Sequence, residues 1–204
     1  MINIFIDIET IPSEVKPSLD EIKAPANYKD EAKILAYKID NQEEEWKKQA
    51  LLSHAGRIIC IGYALNDDPA QIISGSEREI TLKFSEILSE NKNKMKYFIG
   101  HNIRAFDLKF LQHRLWKYGS SERFPRGKYS GNILDTMVEF GCNDYRDMTS
   151  LSNVAKFFDL PAKAGKGSDV FDWWQKGELD TIYEYCKGDV ELVRLVAKKM
   201  NLVR

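Results

Sequence analysis

Cysteine and histidine are scarce in this chain of 204 residues, with three of each. Cys60, Cys142 and Cys186 are widely spaced and odd in number, and none belongs to a Cys-x-x-Cys pair or a Cys/His cluster. That excludes a disulfide framework and argues against structural zinc. The usage fits a reducing, intracellular setting, with the cytoplasm the expected location. Charge of one sign is also missing: 30 basic and 31 acidic residues leave a net charge of −1. Polyanion binding by bulk charge is thereby excluded, whereas an enzyme with acids in a metal site and bases around it is not. No apolar run approaches the ~20 residues needed to cross a bilayer, so no membrane association is expected. The opening Met1-Ile2-Asn3-Ile4 has neither the basic region nor the cleavage site of a signal peptide. Internal repeats, low-complexity tracts and interdomain linkers are absent. Residues 1–204 therefore read as one domain, long enough to bury a core of its own.

What is present begins at once. Residues 2–8 form a β-branched and aromatic run with the composition of a buried strand. Asp7 and Glu9 stand two apart at its end, and in a strand i and i+2 share a face. Two carboxylates side by side at the end of a buried strand are costly unless a positive charge lies between them. A divalent cation held by oxygen ligands is the economical solution, and the rest of the chain must supply further ligands.

The remaining pattern is that of an α/β chain with a mixed sheet. Residues 12–25 read as loop and 30–50 as a charged helix, so that 12–54 is an insertion between the first strand and a hairpin. The hairpin is a strand at 57–65, a turn at Asn66-Asp67-Asp68-Pro69, and a returning strand at 70–74. A helix at 77–89, a short strand at 96–100, an amphipathic helix at 107–118 and a short strand at 133–135 follow. Thr149 is placed to cap a helix running to 158. The segment 179–200 is helical, with Gly188 a candidate break.

Two further pieces carry chemistry. Gly100-His101-Asn102-Ile103-Arg104-Ala105-Phe106-Asp107 follows a strand and enters a helix, so Asp107 falls where the helix dipole and free N–H groups favour a carboxylate. Taken alone it is simply an acid in a first helical turn. In Tyr185-Cys186-Lys187-Gly188-Asp189 the first and last residues share a helix face. Taken alone they are a core tyrosine beside a surface acid.

Asp-x-Glu on a first strand, Asn-x-x-x-Phe-Asp after a middle strand and Tyr-x-x-x-Asp in a C-terminal helix occur together and in order. In this set the chain resembles the 3′–5′ exonucleases of the DEDDy type, within the DnaQ-like group of the ribonuclease H-like fold. It is most similar to stand-alone exonucleases related to the exonuclease domain of family B DNA polymerases, over about residues 2–200. The resemblance implies a ribonuclease H-like α/β fold, with a central mixed sheet of about five strands flanked by helices. It implies that Asp7, Glu9, Asp107 and Asp189 hold two Mg²⁺ (or Mn²⁺) ions and that Tyr185 positions the attacking water. The histidine branch of the group carries His five positions before the last Asp; Glu184 stands there, which favours the tyrosine branch. Thr10, Asn102 and Phe106 match positions that approach the substrate. The implied activity is hydrolysis from the 3′ end of a single strand, DNA in the first instance, releasing nucleoside 5′-monophosphates. Proofreading, repair and association with replication or repair proteins belong to the same expectation. An end-binding module with little catalysis and an RNA-trimming 3′–5′ exoribonuclease are the alternatives.

Weaker signals lie outside this set. The segment 164–169 (Ala-Gly-Lys-Gly-Ser-Asp) lacks the Walker spacing and no strand leads into it, so it is not a nucleoside-triphosphate loop. Lys163, Lys166 and Ser168 are candidate contacts to substrate phosphates. Residues 125–129 (Pro-Arg-Gly-Lys-Tyr) combine bases with an aromatic and suit either a surface loop or a single-strand contact. Trp173-Trp174 reads as a core pair, and Asp135 as a polar strand end packed by a neighbouring group.

Overall fold

A computed structural model describes residues 1–125, 130–144 and 146–203. The chain runs β1 (Ile2–Ile11), α1 (Glu31–Lys48), a 3-10 turn (Gln49–Leu51), β2 (Arg57–Leu65), β3 (Gln71–Ser74), α2 (Glu77–Glu90) and β4 (Lys96–Gly100). It continues through α3 (Asp107–Lys117), β5 (Ile133–Asp135), α4 (Thr136–Phe140), α5 (Leu151–Phe157), α6 (Asp169–Gln175) and α7 (Leu179–Lys199). The five strands form one mixed sheet in the order β3-β2-β1-β4-β5, with β1 at its centre. β1 pairs antiparallel with β2 and parallel with β4; β5 extends the parallel half. This is the expected α/β architecture, a five-stranded mixed sheet flanked by helices.

The period of two along β1 decides which helix each residue meets. Ile2, Ile4, Ile6 and Ile8 join Phe84, Leu88, Phe110 and Leu111 in a core shared with α2 and α3. The opposite parity faces α7, where Phe5 packs with Val190, Val193 and Val196, and Ile11 with Ile182 and Cys186. Asp7 and Glu9 belong to that second parity. Gly62, the β2 partner of Asp7, is required by the approach of α7: a Cβ there would lie 2.9 Å from Cys186 Sγ and from Val190 Cγ2.

Sequence and structure part at several boundaries. β1 extends three residues beyond 8, because β2 continues to pair with it through Thr10 and Ile11 after a register shift at Glu9/Thr10. Helix α5 is capped by Ser150, whose side chain accepts from the Asn153 N–H; Thr149 instead uses its carbonyl to accept from His101 Nε2. α7 is continuous through Gly188, which faces open space and so interrupts no packing. α4 and α6 are short helices absent from the sequence reading.

The segment between β1 and β2 is fastened over the end of β1. Asp30 caps α1 by accepting from the N–H groups of Ala32 and Lys33. Trp46 is buried, donates Nε1–H to the Ser13 carbonyl at 2.8 Å, and meets Phe171 and Trp174 of α6 edge-on. Trp173 and Trp174 are half-buried, Trp173 lying against the Tyr185 ring. Across the molecule, buried Arg114 pairs with Glu77 and donates to the carbonyls of Ser53 and Gly56, tying α3, α2 and the start of β2 together.

Candidate active site

β1 and β4 part at their carboxyl ends, and the acids gather in that opening. Strand pairing between them ends at Phe5 and Ile99. Beyond it the Ile8 N–H donates to Asp107 Oδ1 at 3.1 Å, so the first residue of α3 replaces the missing strand. The turn that delivers Asp107 is built on Asp135. Its carboxylate accepts from the N–H groups of Asn102 (2.8 Å), Arg104 (3.1 Å) and Met137 (3.1 Å). Asn102 adopts φ 61°, a left-handed conformation that Asn tolerates better than most residues. Gly100 allows the close crossing, since a Cβ there would meet the Ile6 carbonyl at 2.9 Å. Asp135 is thus 1 % exposed and engaged with backbone, in line with its reading as a packed strand end.

α7 supplies the other wall. Tyr185, Cys186 and Asp189 are all buried over β1, Asp189 one turn beyond the adjacent Tyr185 and Cys186. Ligand atoms of Asp7, Glu9 and Cys186 lie within 4.8 Å of one another. The Tyr185 hydroxyl lies close enough to Asp189, one turn along α7, to feel its charge. Lys163, from the loop before α6, reaches into the cluster: its ammonium is 2.5 Å from Asp189 Oδ2 and 4.9 Å from the centre of the Tyr185 ring.

The electrostatics are those of a site short of positive charge. Asp7 as a residue is half-buried, yet its Oδ2 is enclosed and is the one described buried side-chain N or O atom without a hydrogen-bond partner. Burial, then the Asp189 charge, push its carboxyl up to about 7, with Lys163 and Cys186 opposing. Glu9 is raised well above the ordinary range by burial and then by Asp7. Asp107 is raised well above its range by burial and Asp7, although the N–H groups it accepts oppose the rise. Asp189 is raised by burial, with the Lys163 ammonium pulling it back. Burial and the neighbouring carboxylates hold the Tyr185 hydroxyl protonated far above its usual range. An enclosed, unpartnered carboxylate oxygen among mutually repelling acids fits a divalent cation bound through hard oxygen ligands.

The structure therefore brings together Asp7, Glu9, Asp107, Tyr185 and Asp189. The substrate candidates are placed differently. Thr10 borders the acids but donates its hydroxyl to the Ala50 carbonyl at 2.7 Å, fastening the insertion. Asn102 forms the turn, and the Phe106 ring meets Phe110 at a tilt, 5.3 Å between centres, beside the core. Lys166 and Ser168 are exposed, and their described contacts run to Asp169 rather than to the acids. Lys163 is the residue of that loop which enters the site. Of the basic segment 125–129, residues 126–129 lie outside the described residues. Cys186 was not among the candidate site residues, although its i−3 spacing from Asp189 puts it on the same helix face. Cys60, the β2 partner of Glu9, needed the strand register to be seen.

A five-stranded mixed sheet flanked by helices, with acids converging at the carboxyl end of its central strand, defines an α/β protein of the ribonuclease H-like fold. The chain belongs to the family described as predicted 3′–5′ exonucleases related to the exonuclease domain of PolB, whose model matches residues 54–204. It is 25% identical over 158 residues to a DNA polymerase of Archaeoglobus fulgidus, covering 70% of this chain and 20% of that protein. It thus spans about a fifth of that relative's length. The family B DNA polymerase of Pyrobaculum calidifontis superposes on 98% of this chain, using 24% of its own, with a TM-score of 0.63 at 14% identity, a likeness of fold.

Proposed function

We propose that the protein is a two-metal-dependent 3′–5′ exonuclease acting on the 3′ end of single-stranded DNA and releasing nucleoside 5′-monophosphates. The observation that carries the reading is the enclosed, unpartnered Oδ2 of Asp7, at the meeting point of acids from a strand and two helices. The family supports exonuclease action, and the relative's being a DNA polymerase supports DNA as the strand.

Asp7, Glu9, Asp107 and Asp189 would hold Mg²⁺ or Mn²⁺, the donor set being carboxylate oxygen throughout. Bound divalent ions would supply an acidified water and charge neutralisation at the leaving 3′-oxygen. Tyr185, protonated at any working pH, acts as a hydrogen-bond donor and orients the water rather than deprotonating it. Lys163 places its positive charge on Asp189 and would turn toward a substrate phosphate once bound cations neutralised the acids. The backbone around Thr10, closed off by the insertion, borders the place of the terminal nucleotide.

Purified protein should shorten a 5′-labelled oligonucleotide one residue at a time with Mg²⁺ or Mn²⁺ and stop with EDTA. Asp7→Ala should abolish cleavage with the fold intact by circular dichroism. Wild-type activity in Asp7→Ala would remove the acid cluster from the chemistry. Matched DNA and RNA strands digested side by side read the sugar preference, because the 2′-hydroxyl is the difference the site must tolerate or reject.

A further inference from the structure

Beside Glu9 the pairing of β1 with β2 is irregular, and the irregularity is held from both strands. Glu9 pairs with Cys60, but Thr10 pairs with Ile58, so Ile59 is left over on β2. Such a bulge bends a strand, sharpens its twist and re-aims the side chain next to it. That side chain is Glu9, whose ligand atom lies within 4.8 Å of those of Asp7 and Cys186. On the β2 side the Ile58 N–H donates to Glu77 Oε1 at 2.9 Å. Glu77 is fixed in turn by Arg114 and by the Tyr118 hydroxyl, which donates to its Oε2 at 2.8 Å. On the β1 side Thr10 Oγ1 donates to the Ala50 carbonyl at 2.7 Å. Ala50 sits in the 3-10 turn of the insertion, and the chain closes tightly behind it. A Cβ on Gly56 would lie 2.6 Å from the Gln49 carbonyl oxygen and 3.0 Å from that of Ala50. Arg114 also donates to the Ser53 carbonyl at 2.7 Å and to that of Gly56, so α3 anchors both holds.

We infer that Thr10 is a positioning residue: its hydroxyl, held by the Ala50 carbonyl of the insertion, fixes the bulge that aims the Glu9 carboxylate at the cation. The inference rests on the metal-dependent reading and gives the insertion a part in it. Ala50 lies ahead of residue 54, where the family match begins. The rival role for the Thr10 side chain is a substrate contact, and two observations oppose it. A hydroxyl has one proton to donate, and Thr10 gives it to Ala50. Successive residues of a strand face opposite sides, so Thr10 is turned from the face on which Asp7 and Glu9 meet α7. Glu9 needs the restraint. It is buried beside a second carboxylate, and like charges drive a loosely held side chain toward water. With the bulge pinned at Thr10 and Ile58, its backbone cannot follow.

The test compares Thr10→Val, which keeps the shape and loses the O–H, with Thr10→Ser, which keeps the donor. Mn²⁺ binding is measured by calorimetry, and binding of a labelled ten-nucleotide single strand by anisotropy in EDTA. One hydrogen bond supports a loss of about three- to tenfold in Mn²⁺ affinity for Thr10→Val, with Thr10→Ser within about twofold of wild type. Strand affinity in EDTA should not change in either variant. In a Glu9→Gln background Thr10→Val should cost no further Mn²⁺ affinity, because Thr10 acts through the Glu9 carboxylate. Undiminished Mn²⁺ affinity in Thr10→Val would overturn the assignment. The same loss with and without the Glu9 carboxylate would overturn it too, since a general loosening of the strand does not depend on that group. Weaker strand binding in EDTA at unchanged Mn²⁺ affinity would make Thr10 a substrate contact instead. Coupling between Thr10 and Glu9 in a protein that binds Mn²⁺ but cleaves no strand would refute the exonuclease reading and leave the positioning role standing.

Discussion

Asp7→Asn should make the metal-free protein more stable while removing its activity. The folded protein raises the Asp7 carboxyl from 3.8 to about 7, chiefly through burial. At 1.36 kcal/mol per pH unit that rise is worth about 4 kcal/mol. Part of it is shared with Asp189, whose charge adds to the rise, so a relief of about 2–4 kcal/mol is the expectation for a neutral isostere. The sign follows from linkage. Folded Asp7 holds its proton more tightly than the unfolded chain does, so its stabilising contribution is complete below pH 3.8 and is lost as pH rises through about 7. Asparagine does not titrate, so its advantage grows across that window and is full above pH 7. For a chain of this length each kcal/mol moves Tm by about 2–4 °C, giving a gain of about 4–16 °C at pH 8 in EDTA that shrinks toward pH 4.5. Melting curves at both pH values check it. With Mn²⁺ the order should reverse, because the wild type gains more from the ion than the variant. A variant no more stable than wild type at pH 8 in EDTA would mean that Asp7 is not a desolvated, unsatisfied charge, and the argument for a cation there would fall with it.

Tyr185→Phe should lower kcat while leaving Mn²⁺ affinity by calorimetry within about twofold; unchanged kcat would take the hydroxyl out of the mechanism. Lys163→Ala removes a cation that stands 2.5 Å from Asp189. It should tighten Mn²⁺ binding at pH 8 by about tenfold, on the order of 1.4 kcal/mol, while lowering the stability of the metal-free protein; weaker Mn²⁺ binding would show that the ammonium assists the ion. Arg114→Ala leaves Glu77 buried without its guanidinium partner and strands two carbonyls, so urea unfolding should report a loss of about 3–5 kcal/mol. A loss below about 1 kcal/mol would show that water replaces the guanidinium there.

The fold was legible wherever one period held over a whole element. β2 is a near-continuous β-branched and apolar run, buried on both faces at its middle, and its ends agree with the turn residues on either side. α3 presents Leu108, Leu111 and Leu115 at helical spacing. Legibility failed where a few residues take their conformation from contacts distant in sequence. α6 has seven residues, too few to show a period, and is held by Trp46 of the insertion against Phe171 and Trp174. The continuity of α7 through Gly188 depends on that residue facing solvent, which a sequence does not record. In the site, the acids were visible through their spacing within single elements. Lys163 was legible only as a candidate phosphate contact, because its pairing with Asp189 depends on a loop with no period, and Cys60 was not legible in the site, because it meets Glu9 only through strand register.

The same packing accounts for both the stability cost and the reactivity of the acids. α7 reaches β1 only because Gly62 leaves room for Cys186 and Val190. That approach excludes water from Asp7 and Glu9 and brings Asp189 and Tyr185 over them, so the desolvation that raises the carboxyls comes from a well-formed core rather than from a defect in it. Loosening the helix would lower the cost and scatter the ligands together. A site of this kind cannot be made both comfortable without an ion and tight with one. Lys163 moderates the conflict: its ammonium lowers the rise at Asp7, Glu9 and Asp189 while remaining tethered by a loop, and a loop-borne cation can withdraw where one on α7 could not.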